Sequence, residues 1–147
     1  DHSYSVALWL NPAQLTNYTT AFFGYANLSS WVSLVPRGHG GVGENTMLWS
    51  GTAWYDAGIG QRVALNSWSH LTFVVSGGTV KIYLNGQVVF SGSNFPNVFG
   101  VTGNKGFGLG VNFWDTPFKG MLDEVTIYSE AISAEDVLQL YQQSVLP

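Results

Sequence analysis

Apolar and polar positions alternate with a period of two from the start of the chain. In Tyr4-Ser5-Val6-Ala7-Leu8-Trp9-Leu10, residues Tyr4, Val6, Leu8 and Leu10 share one face, the spacing of a strand with one side in a core. Asn11-Pro12 ends it. Thr20–Tyr25 and Trp31–Val35 are further β-type runs, the second stopped by Pro36. Arg37–Gly43, rich in glycine, predicts a mobile loop. Thr46–Ser50 and Ala53–Tyr55 predict short aromatic strands, followed by a glycine-broken stretch at Asp56–Gly60.

The middle of the chain predicts a three-strand meander over Leu71–Val75, Val80–Leu84 and Gln87–Phe90. Gly77-Gly78 marks its first turn and Asn85-Gly86 its second. Asn-Gly between apolar runs is a strong hairpin signal, because both residues accept the positive φ of a type I′ turn. In Gly106–Val111, Phe107, Leu109 and Val111 line one face and glycine fills the other. Such glycines mark either a close approach by a ligand or room for rings on a neighbouring strand. Gly120–Tyr128 predicts the last strand. Ser133-Ala134-Glu135-Asp136 then has the form of a capping box, and Val137, Leu138, Leu140 and Tyr141 follow at helical spacing. Many short strands and one late helix predict an all-β, antiparallel two-sheet sandwich of jelly-roll type with a short C-terminal helix.

The chain has 147 residues, enough for one domain with a real core. Only 10% of residues are charged and 15% are aromatic, with six Trp. A surface built mostly from uncharged polar groups and rings suits neutral polar ligands. The five basic residues, Arg37, Arg62, Lys81, Lys105 and Lys119, do not cluster, so a nucleic-acid partner is not expected. No long apolar run predicts membrane insertion. The absence of cysteine excludes disulfides and a Cys nucleophile.

Two stretches carry a family resemblance. Trp68-Ser69-His70-Leu71-Thr72-Phe73-Val74 with Val80-Lys81-Ile82-Tyr83-Leu84-Asn85-Gly86 is one. Phe118-Lys119-Gly120-Met121-Leu122-Asp123-Glu124-Val125-Thr126-Ile127-Tyr128 followed by Ala131–Val137 is the other. Both resemble the laminin-G-like, concanavalin A-like jelly-roll superfamily. Leu109–Phe118 resembles ancillary modules of bacterial glycoside hydrolases. The resemblance implies one domain over residues 1–147, with an edge strand before Tyr4 truncated or supplied from outside these residues. It also implies an extracellular binding domain for a polysaccharide or oligosaccharide, covalently linked to a catalytic domain.

Catalysis is not expected. A glycosidase needs two carboxylates facing each other across the sugar, and no acid pair is spaced to share one strand face. Asp123 and Glu124 are adjacent and so point to opposite faces of a regular strand. His70 reads as a packed, hydrogen-bonded strand residue. The aromatic residues are the better lead. Trp54, Tyr55 and Trp114 sit beside Asp or Gly in turn-like sequence, Trp49 fits core or site equally, and Trp9 and Trp68 read as structural. The candidate ligand site is therefore Arg37, Trp49, Trp54, Tyr55, Asp56, Asn112, Trp114 and Asp115, with His39 a further polar group nearby. No cofactor is required. The resemblance implies Asp123 as the place for a structural calcium, although an Asp there also serves by accepting backbone N–H bonds. Two other classes compete with a carbohydrate-binding module: an adhesion domain for a protein or glycoprotein, and a structural spacer.

Overall fold

The computed structural model describes residues 3–144, so the expected domain limits at 1 and 147 lie outside the described residues. Ten strands form two five-stranded antiparallel sheets. The first has the order β10 (Gly120–Tyr128), β1 (Ser3–Pro12), β6 (Ser69–Ser76), β7 (Thr79–Leu84), β8 (Gln87–Gly92). The second has the order β5 (Tyr55–Gly58), β4 (Met47–Ser50), β3 (Ser30–Val35), β2 (Phe22–Asn27), β9 (Gly106–Leu109). The inner faces meet through Val6, Leu8, Leu10, Phe22, Val32, Leu34, Leu48, Leu71, Phe73 and Ile82. The two-sheet sandwich and the meander follow the hydrophobic pattern. Asn85 and Gly86 both adopt positive φ (50° and 80°), as the hairpin turn requires.

The outer face of the first sheet is partly covered by a helix. Helix α1 (Ala134–Gln143) begins with the expected capping box, Ser133 and Asp136 each bonding the other's backbone N–H. Its Val137 packs with Ile132 on Val74 and Tyr83, and Tyr141 reaches the rings of Trp9 and His70. Ser5 Oγ fastens the approach to the helix, donating to Glu130 O and accepting from Ile132 N–H. Among the described residues no helix is long and apolar enough to cross a membrane.

Three local expectations need correction. Ala53–Tyr55 is not a strand: Thr52–Trp54 forms a 3-10 turn, and Ala53 and Trp54 hold φ values of 56° and 49° that no extended strand allows. The stretch expected to be glycine-broken instead starts as β5, where Val42 packs over Gly58. Arg37–Gly43 is hydrogen-bonded rather than loose. Gly38 N–H donates to Asn45 O, Glu44 N–H donates to His39 O, and a 3-10 turn spans Gly40–Val42. At Gly106 the ring of Tyr25 occupies the glycine's free side, which is the neighbouring-ring reading.

The sandwich is joined along one side, where Tyr55 Oη of β5 donates to Ser93 O just beyond β8. It is open along the other. Phe107 and Leu109 pair with Gly24 and Phe22, and Ile127 pairs with Val6, so all three face inward by register. They are nevertheless 57%, 43% and 46% exposed. A cleft of about 810 Å3 lies there between β9 and β10.

Candidate functional site

The outer face of the second sheet carries the rings. Phe23, Ser33, Trp49 and Asp56 are successive partners across β2, β3, β4 and β5, and so point the same way. Tyr25 and Trp31 form the next row. Two loops fold onto this face. Phe113 of the Gly110–Phe118 loop packs on Phe23 and Tyr25 at 5.1 and 4.9 Å. On the other side, Gly38 of the Arg37–Asn45 loop lies so close over Met47 that a Cβ would overlap its side chain. Beside the Gly110–Phe118 loop is a cavity of about 510 Å3 lined by Leu28, Ser29, Trp31, Ser33, Trp49, Gly51, Trp54, Asn112, Trp114 and Asp115.

Four tryptophans define it. Trp31 is central, with ring centroids 5.6 Å from Trp49, 6.3 Å from Trp54 and 5.6 Å from Trp114. Trp31 is buried, whereas Trp54 and Trp114 are 68% and 55% exposed. The turn that presents Trp54 is pinned to β3. Ser50 Oγ donates to Trp31 O and accepts from Thr52 N–H, and Thr52 Oγ1 donates to Ser30 Oγ. Trp114 is held by Asn112, whose Oδ1 accepts from the N–H groups of Trp114 and Asp115 at 2.8 and 2.7 Å. Its Nδ2 donates to Asp115 Oδ2 at 2.9 Å. This is an Asx turn that fixes one acid and one amide at the rim of an apolar cavity.

Of the residues the sequence nominates, Trp49, Trp54, Asn112, Trp114 and Asp115 come together here. Asp56 lies beside Trp49, its Oδ2 3.0 Å from His39 Nε2. Tyr55 points to the opposite face, as its neighbour in a strand must. Its ring packs on Phe95 and its hydroxyl bonds Ser93 O; partial burial raises its pKa. Arg37 lies outside the cavity lining and braces its own loop, donating to Leu15 O and pairing with Glu44 at 3.1 Å. Asn17 and Arg37 bonds lower the Glu44 pKa. The lining adds Leu28, Ser29, Trp31, Ser33 and Gly51 to the sequence set. Alternation in β3 did not mark Trp31, because every residue from Ser30 to Val35 is buried and neither face reads as polar.

His70 is a packed strand residue as expected, and lies under the helix, but the expected hydrogen bonding is incomplete because its Nδ1 has no partner. Burial lowers its pKa to about 4, so the ring is neutral at pH 7. Asp123 is exposed, and its Oδ1 accepts the N–H of Glu124, whose φ is 49°. These two residues sit in an irregularity of the β1–β10 register, so the regular-strand geometry does not apply. Among the described residues no group of three or more acids or histidines gathers there or elsewhere. A calcium at Asp123 would take nearly all of its six to eight oxygens from carbonyls and water.

A jelly-roll sandwich with one outer face partly covered by a helix and the other carrying a tryptophan cavity has the architecture of a lectin-like domain. The chain belongs to the Laminin_G_3 family of the concanavalin A-like lectin/glucanases superfamily, which residues 1–138 match. Among solved structures it is similar to domain 4 of AbnA, a GH43 extracellular arabinanase from Geobacillus stearothermophilus, in complex with arabinotriose. That match has 48% identity and a TM-score of 0.89, covering 96% of this chain and 67% of the other. The fold is shared with the CBM40 of the Ruminococcus gnavus IT-sialidase bound to α2,3-sialyllactose (12% identity, TM-score 0.77, covering 95% and 83%). It is also shared with the heptameric SAP-like pentraxin of Limulus polyphemus (16%, 0.66, 95% and 70%). No curated protein matches the chain in sequence.

Proposed function

We propose that this domain is a non-catalytic carbohydrate-binding module that takes arabinan or a related neutral polysaccharide in the tryptophan cavity. The observation that carries the reading is the grouping of Trp31, Trp49, Trp54 and Trp114 around one cavity, with Asn112 and Asp115 at its rim. Sugars offer C–H faces to rings and hydroxyls to polar groups, and rigid rings supply contact area at little entropic cost. The cavity contains one carboxylate, Asp115, already bonded to Asn112, whereas glycoside hydrolysis uses a facing pair. Likeness to an arabinanase domain in complex with arabinotriose supports the choice of sugar.

On this reading the domain is extracellular and is joined to a polysaccharide-degrading enzyme, whose effective concentration at the substrate it raises. A single shallow site gives micromolar to millimolar affinity, roughly −4 to −8 kcal/mol. Affinity electrophoresis through gels containing arabinan, galactan, levan or β-glucan tests it. Retardation by arabinan is expected, and unretarded migration of the folded domain in every gel would overturn it.

A further inference from the structure

We propose that the binding surface continues past Trp49 onto Tyr18 and His39, so that the ligand is an internal stretch of a neutral polysaccharide longer than a trisaccharide. This rests on the reading of the tryptophan cavity as a sugar site. Trp49 is shared between two groups of rings. Trp31 and Trp54, which line the cavity, lie 5.6 and 6.0 Å from it. Tyr18 and His39, which lie outside the cavity lining, are 5.9 and 5.4 Å from it.

The second group has its own polar equipment. His39 Nδ1 accepts the N–H of Gly41, which places the ring proton on Nε2, facing Asp56 Oδ2 at 3.0 Å. His39 and Asp56 thus fix each other. Asp56 Oδ1 has no bond among the described residues and remains an acceptor for a hydroxyl. The Tyr18 hydroxyl is likewise without a partner there, and Tyr18 is 39% exposed. Its backbone is held at a φ of 70°, unfavourable for a bulky residue, by its N–H donating to Arg37 O.

No hydrogen bond or ring contact among the described residues joins the Arg37–Asn45 loop to the Gly110–Phe118 loop. The rings step from Trp114 to Trp31, Trp49 and Tyr18 by 5.6, 5.6 and 5.9 Å. A run of rings leading from one group to the other suits a passing chain better than a chain end.

Calorimetric titration of the domain with arabino-oligosaccharides of two to eight residues, and with linear arabinan, tests the inference. Affinity is expected to rise about tenfold, or 1.4 kcal/mol, between the trisaccharide and the hexasaccharide. Tyr18→Ala and His39→Ala should each remove most of that rise, and Tyr18→Phe should keep most of it. An affinity that levels off at the trisaccharide would overturn the inference, as would an undiminished rise in a folded Tyr18→Ala protein. Failure of the unmodified domain to bind any oligosaccharide in the series would instead remove the arabinan reading on which it rests.

Discussion

Gly51 lies against the indole of Trp31 so closely that a single added Cβ would overlap the ring. Trp31 touches the other three tryptophans, so Gly51 sets the shape of the cavity without contacting ligand through a side chain. Its φ of −70° suits any residue, and Gly51→Ala therefore tests the contact and not the backbone. Overpacking of this kind costs about 1–3 kcal/mol. We expect a lowered melting temperature and at least a tenfold loss of affinity, measured by thermal denaturation and calorimetry.

Trp54 and Trp114 are more than half exposed, so truncating them removes little packing. Trp54→Ala and Trp114→Ala should each stay within about 1 kcal/mol of the original stability, as surface changes do. Each should lose tenfold or more in affinity, the behaviour of aromatic residues that dominate binding energy. Paired denaturant melts and titrations separate the two effects.

Asn112 accepts two backbone N–H groups and donates to Asp115. Asn112→Ala removes all three bonds and frees the Trp114 loop. Asn112→Asp keeps both N–H acceptors but sets a carboxylate against that of Asp115. Affinity is expected to rank original, Asp, Ala. Hydrogen exchange at the amides of Trp114 and Asp115 should rise in Asn112→Ala and rise less in Asn112→Asp.

His70 makes stability depend on pH. Its pKa is about 4 in the folded protein, below the value near 6.5 of an exposed histidine, so the unfolded chain takes up a proton first as pH falls. The stabilisation is complete above about pH 6.5, declines between pH 6.5 and 4, and is constant below that. It amounts to about 3 kcal/mol at most, one pKa unit being worth about 1.4 kcal/mol. Urea melts from pH 7 to 4 should show this decline, and His70→Gln should flatten it.

The open side of the sandwich has a consequence of its own. Phe107, Leu109 and Ile127 face inward yet remain exposed, so residues 1–147 alone should bind a hydrophobic dye such as ANS. Absence of dye binding by the folded domain would contradict this exposure.

The fold was legible where local signals agreed with the tertiary structure. Asn85-Gly86 fixed a hairpin, and Ser133 with Asp136 fixed a helix start. The site was half legible. Trp54 and Trp114 stand out because turn residues flank them, and Asn112 and Asp115 travel with Trp114. Trp31 was hidden in a strand apolar on both faces. Tyr55 was misjudged because it looked turn-like beside Asp56; it instead opens β5, where pairing with Ser50 sends its ring inward and leaves Asp56, paired with Trp49, outside. Arg37 looked free, yet its partner Glu44 lies seven residues away across a folded loop, a pairing that residue spacing does not reveal.

The most direct test of the account is a tryptophan-fluorescence titration of the folded domain with arabinotriose, run beside Trp54→Ala and Trp114→Ala. The account predicts a saturable change with a micromolar to millimolar Kd, weakened at least tenfold by either substitution. Full affinity in both folded variants would contradict it and move the binding site off the tryptophan cavity.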